Sequence, residues 1–237
     1  TLILPEFNKK QVTLKLRLEN LSKILQRNME YAYANYTLTG YIKEKKSGKR
    51  LTDDFIIQNK IKSQQEVTQE IIVRVKDPVP WSPENPFLYQ VVLSVKVDSI
   101  TIDKYGNPEN KAAKYPVYFM GVSDMVTENI GIRDLTPVQN YFTLNGNRYF
   151  LTGSSITLNR FFEDRDRKAL PWDKEWVKKM FIDIPKSIGW NTMRICIGLL
   201  PDFWYDLADE YGLMLQNEYP MWQLRGSDSE MEKEYTD

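Results

Sequence analysis

From Gln11, the apolar residues Val12, Leu14, Leu16 and Leu18 fall on one side and Thr13, Lys15, Arg17 and Glu19 on the other. That period of two predicts a half-buried antiparallel strand. The pattern recurs. Tyr36 to Glu44 reads as a strand leading into Lys46-Ser47-Gly48-Lys49, a turn suited to closing a hairpin. Val67 to Lys76 sets Ile71, Val73 and Val75 against Ile72, Arg74 and Lys76, and Leu88 to Val97 aligns Tyr89, Val91, Leu93, Val95 and Val97. A polar loop, Asp103 to Asn110 with Gly106 and Pro108, then precedes a short strand around Val117 to Phe119. Short alternating strands, polar turns and no convincing helix predict an antiparallel β-sandwich.

The period then changes. Asn129 to Leu151 reads as a hinge in which Tyr141–Leu144 and Arg148–Leu151 flank Asn145-Gly146, a dipeptide that supplies the positive φ of a tight hairpin turn. The boundary is placed near Pro137, giving an immunoglobulin-like sandwich over residues 1–136 and a second unit over 137–237. In the second unit Asp173 is expected to cap a helix with Trp176, Val177, Met180, Phe181 and Ile184 on one stripe, and Pro185 to kink or end it before Gly189. Asn191 to Ile197 is a short apolar strand carrying Arg194. Pro201 opens a helix with Phe203, Trp204, Leu207, Ala208 and Tyr211 on one face, and Gly212 stops it. Leu213 to Gln216 follows as a second buried strand and delivers Asn217 and Glu218 to the edge that receives Arg194. An arginine and a carboxylate at the carboxyl ends of neighbouring strands stand where α/β barrels keep their active sites.

Composition narrows the chemistry. Lys plus Arg equals Asp plus Glu at 32 each, which argues against a nucleic-acid surface or a polybasic membrane patch. No apolar run is long enough to span a bilayer, and with no Met at Thr1 and no leader the chain reads as a piece of a longer protein. The single cysteine, Cys196, sits in an apolar strand and is read as a small packing hydrophobe. Without histidine, the 237 residues hold neither a Ser-His-Asp triad nor a histidine-based zinc site. The partner expected is neutral or small.

Two ordered blocks carry a resemblance. The first is Asn191, Arg194 and Pro201, then Trp204-Tyr205-Asp206-Leu207-Ala208-Asp209-Glu210-Tyr211-Gly212-Leu213, closing on Glu218. The second lies ahead of it: Trp81-Ser82-Pro83-Glu84-Asn85-Pro86-Phe87-Leu88-Tyr89, Gly131-Ile132-Arg133, and the Leu144-Asn145-Gly146 turn running to Leu151 and Gly153. Together they resemble glycoside hydrolase family 2, the β-galactosidase, β-glucuronidase and β-mannosidase group. The resemblance implies a sandwich domain followed by the first three β/α units of a (β/α)8 barrel, and an oligosaccharide or polysaccharide substrate. It implies no required cofactor. It also implies action in a periplasm or outside cells.

Family members of this kind are retaining, with two glutamates about 5 to 5.5 Å apart after the fourth and seventh barrel strands. Neither falls within these residues, so the resemblance implies no catalytic residue here. Arg194 matches the arginine that supports the nucleophile, and Glu218 matches the acidic position after the third strand, which helps ligate magnesium in some β-galactosidases and organises the pocket in others. The alternative for this pair is a structural ion pair. Asn217 and Trp222 are further pocket candidates, as are Asn159 and Arg160, the remnant of an Asn-Arg-His-Glu-like cluster whose histidine is missing from Ser154 to Phe162. That gap motivates a second reading, a carbohydrate-binding or scaffolding protein derived from the same fold. Trp81 reads either as a sugar-stacking platform or, preferably, as a cap on the sandwich core. Glu163 to Arg167 reads as a solvated loop, and Asp206, Asp209 and Glu210 as residues of a solvated helix face. An incomplete barrel has raw strand edges, which predicts self-association or poor order after Gly153.

Overall fold

The computed structural model of the chain describes residues 1–21, 32–102, 113–116 and 124–218. They form two compact units, Thr1–Tyr149 and Phe150–Asp237. The hairpin after Pro137, assigned by pattern to the second unit, thus counts with the first.

The first unit is built from β1 (Leu2–Glu6), β2 (Gln11–Glu19), β3 (Ala32–Glu44), β4 (Phe55–Lys62), β5 (Glu66–Arg74), β6 (Tyr89–Ile102), β7 (Ala113–Pro116) and β8 (Asp124–Ile130). One antiparallel sheet has the order β1-β2-β5. The other has the order β4-β3-β6-β7, with β8 also paired to β6. Their inner faces meet in one apolar core: Val12, Leu14 and Leu16 of β2 and Val73 of β5 belong to the same buried cluster as Leu38 and Ile42 of β3 and Val91 and Leu93 of β6. Alternation read on β2, β5 and β6 therefore marks the inward faces. Thr13 departs from it, buried although on the polar side, where its hydroxyl reaches Glu6 at 3.4 Å. The expected strand at Val117 to Phe119 lies outside the described residues. Pro5 is accommodated because, among the described residues, β1 is an edge strand paired with β2 alone.

The sandwich is closed at one end by Trp81, which is 1% exposed. Its N–H donates to the Ile132 carbonyl at 2.9 Å, and the Arg133 guanidinium lies 4.7 Å above its ring. Gly131 has a steric reason to be there, since a Cβ would stand 2.7 Å from the Trp81 ring. The Trp-Ser-Pro and Gly-Ile-Arg segments are thus two halves of one packed corner. Trp81 is core, and its ring is closed to a sugar. A small sheet follows, β9 (Leu135–Val138), β10 (Tyr141–Leu144) and β11 (Asn147–Tyr149), in the order β11-β10-β9. Leu144 pairs with Asn147, leaving Asn145 and Gly146 as a two-residue turn with φ of 52° and 83°. The Asn145 side chain donates to the Trp81 carbonyl at 3.0 Å and ties the hairpin to the corner.

The second unit holds a three-stranded parallel sheet, β12 (Gly153–Ile156), β13 (Thr192–Ile195) and β14 (Met214–Asn217), in chain order. Between β12 and β13 lie α1 (Asn159–Glu163), a 3-10 turn (Leu170–Trp172) and an unbroken helical run made of α2 (Lys174–Val177), a π-helical stretch (Lys178–Asp183) and α3 (Ile184–Ser187). The Asp173 carboxylate caps α2, accepting from Glu175 N at 3.0 Å and Trp176 N at 3.2 Å. Pro185 does not end the helix, which runs on to Ser187. The wider π turn just before it lets the chain pass a residue that has no N–H to give. That turn also rotates the apolar stripe: Val177, Phe181 and Ile182 are buried, whereas Met180 and Ile184 face solvent.

From β13 to β14 the chain passes through α4 (Asp202–Tyr211). Pro201 stands just ahead of the first helical residue, and Gly212 ends the helix at φ 74°, with Leu213 N donating to the Ala208 carbonyl at 2.9 Å. Trp204 is wholly buried, its ring 4.7 Å from that of Phe181, and its indole N–H donates to the Pro171 carbonyl at 2.9 Å. Among the described residues no helix is long and apolar enough to cross a membrane.

Candidate active site

Parallel pairing in the second unit puts the carboxyl ends of its strands side by side, with Ser155, Arg194 and Gln216 in one register row and Ile156, Ile195 and Asn217 in the next. Arg194 Nη2 donates to Glu218 Oε1 at 2.7 Å, and Arg194 Nη1 lies 3.4 Å from Ser155 Oγ. The second Glu218 oxygen accepts from Ile197 N at 3.2 Å. Both charged side chains keep access to solvent, Arg194 at 42% and Glu218 at 26% exposed. Partial desolvation pushes the Glu218 carboxyl up, but the Cys196 thiol, the Ile197 amide and the Arg194 charge together outweigh it and hold its pKa below the usual 4.5. Glu218 is a carboxylate at neutral pH, an acceptor whose two oxygens are both engaged.

Asn217 joins this edge differently. Its Oδ1 accepts from Tyr205 OH at 3.3 Å, while the same hydroxyl accepts from Leu200 N at 3.2 Å. Tyr205 and Ile197 were not singled out from the sequence. Tyr205 falls outside the apolar face read on its helix and enters only as part of the resembling block, and nothing in the dipeptide Ile197-Gly198 announces a left-handed backbone at a β-branched residue. Cys196, read as a packing residue, has its thiol near enough to Glu218 to help lower that carboxyl's pKa.

Of the other candidates, Arg160 takes no part in the network. It is 79% exposed and pairs with Glu163 of its own helix at 3.5 Å. Asn159 opens that helix, and its side chain lies outside the described residues, as does the whole of Trp222. The run Glu163 to Arg167 is exposed apart from the half-buried Asp164. Both Glu218 oxygens are bound to donors, and among the described residues no three acidic, cysteine or histidine side chains gather to surround a cation.

Comparison with known proteins gives these residues a context. The family model described as glycosyl hydrolases family 2 matches residues 2–108. An exo-β-D-glucosaminidase from Streptomyces avermitilis is 32% identical over 98 residues, covering 39% of this chain and 10% of that protein. A β-galactosidase from Halalkalibacterium halodurans is 28% identical over 163 residues, covering 66% of this chain and 13% of that protein. The chain therefore spans about a tenth of the length of these curated relatives. Among solved structures, a family 2 glycosyl hydrolase from Bacteroides cellulosilyticus superposes with a TM-score of 0.66 at 19% identity, over 91% of this chain and 23% of its own, a likeness of fold. Residues 2–108 thus match glycosyl hydrolase family 2, and the curated relatives that the chain resembles are glycosidases.

Proposed function

We propose that this chain supplies an immunoglobulin-like sandwich and the first three β/α units of a (β/α)8 barrel to a retaining glycoside hydrolase. The division is drawn near Pro137, where the sequence begins its approach to the first barrel strand. Both catalytic glutamates are supplied by protein beyond these residues. The observation that carries the reading is the Arg194–Glu218 pair at the carboxyl ends of adjacent parallel strands, the face on which barrel enzymes assemble their sites. Arginine has five donors in a rigid fork. With Glu218 and Ser155 on one side, the remaining donors are available to a second carboxylate and would keep a nucleophilic glutamate ionised. Asn217 presents an amide at the same edge for sugar hydroxyls. The outer strands β12 and β14 are closed, in this reading, by later strands of the barrel rather than by self-association.

The curated relatives point to β-linked glucosamine or galactose, and a neighbour in fold named as a β-glucuronidase, from Bacteroides uniformis, adds a β-glucuronide to the substrates to test. The test is hydrolysis of the three aryl β-glycosides by the intact protein, with and without Arg194→Ala. Cleavage of at least one, lowered about a hundredfold in kcat by the substitution, is the expected result. A folded protein that binds glycans without cleaving any of the three would favour instead the carbohydrate-binding reading, which the absence of histidine in Ser154 to Phe162 motivates.

A further inference from the structure

Ile197 adopts φ 53°, in the left-handed region that β-branched residues rarely enter, and Gly198 follows at φ 143°. Packing anchors the segment only at its far end, where Leu200 is buried in the unit's core, while Ile197 is half-buried and Leu199 is exposed. The segment's polar contacts converge on the end of β14. Ile197 N donates to Glu218 Oε2 at 3.2 Å, Gly198 N donates to the Glu218 carbonyl at 3.0 Å, and Glu218 N donates back to the Ile195 carbonyl at 3.0 Å. Leu200 N donates to Tyr205 OH, which in turn donates to Asn217. A residue in a sparsely populated backbone region persists only where its surroundings over-determine it.

We propose that Glu218 is a positioning residue, which clasps the Ile197–Gly198 turn with its carboxylate and its carbonyl and so fixes segment 197–200 together with the Arg194 guanidinium. One carboxylate oxygen holds the turn and the other holds Arg194, so the strained backbone and the arginine are set by the same group. This assigns Glu218 a task apart from touching sugar or metal, and it goes beyond the glycosidase reading.

Amide hydrogen exchange across 197–200, measured on the intact protein without sugar, tests it with Glu218→Gln, Ile197→Gly and the double variant. Glutamine offers one acceptor where the clasp uses two. Gly198 is the informative amide, because its acceptor is a backbone carbonyl that no substitution removes. Glu218→Gln is expected to speed its exchange about tenfold or more, and Ile197→Gly, which removes the strain, to bring the double variant back to within about threefold of the unsubstituted protein. Unchanged exchange in Glu218→Gln, or a double variant that exchanges as fast as Glu218→Gln alone, overturns the proposal. Should Glu218→Gln fail to fold, recovery of folding in the double variant supports the clasp and its absence overturns it. The measurement needs no turnover, so it answers even for a protein that cleaves no glycoside.

Discussion

Each unit carries an arginine–glutamate contact of nearly the same length. In the sandwich, Arg17 and Glu66 meet at 2.6 Å across β2 and β5, both more than half exposed. In the parallel unit, Arg194 and Glu218 meet at 2.7 Å. Distance does not separate them. Arg17 and Glu66 lie on the solvated side of a strand pair whose other side makes the core, a place where ions are abundant and each contact contributes little. Arg194 and Glu218 stand at strand ends, and the carboxylate also accepts from a backbone amide and has a thiol nearby that helps lower its pKa. What distinguishes a candidate site from surface decoration is how many other groups depend on the same carboxylate.

The sharpest test of treating the units separately is Trp204→Ala. Emptying that buried site should cost the second unit about 3–5 kcal/mol and leave the first unit's calorimetric transition in place. Transitions that shift together would mean the two regions melt as one body. A smaller effect is expected at the surface pair: Arg17→Ala should lower the stability of the sandwich by less than about 1 kcal/mol, and a larger loss would erase the contrast with Arg194.

The subtlest prediction concerns acid. Because the folded pKa of Glu218 lies below its usual 4.5, its contribution is complete above that value and is lost as the pH falls through the folded pKa. Glu218→Gln should therefore flatten the acid limb of the second unit's melting temperature below about pH 4.5. The first unit should keep its own limb, carried by Glu6, lowered by its bond to Lys9, and Asp77, lowered by its bond to Lys10. An unchanged limb in the second unit would show that other carboxylates carry it.

Much of the scaffold was legible because each signal had one physical cause. Alternation on β2, β5 and β6 follows from a two-sheet core, Asn145-Gly146 from the φ demands of a two-residue turn, and Gly212 from the left-handed end of α4. Two strands, β1 and β4, were not. They carry exposed apolar residues, Leu2, Leu4 and Ile56, so their patterns do not announce which face is inside. The stripe on the helix before β13 was misread at Met180 and Ile184 because it was counted at the α-helical period through a π turn. At the site, Arg194 and Glu218 could be paired from strand ends alone. Tyr205 and the Ile197 backbone could not, since both act through a loop conformation that no periodicity encodes.

The corner at Trp81 has an optical consequence. All five other tryptophans lie beyond residue 149, so the first unit has a single indole chromophore, sealed from water beneath a guanidinium. Its emission is set by one apolar surrounding and should move to the red only when that corner opens. The sandwich thus contains its own spectroscopic label, and with the later tryptophans replaced by phenylalanine its unfolding could be followed by colour alone.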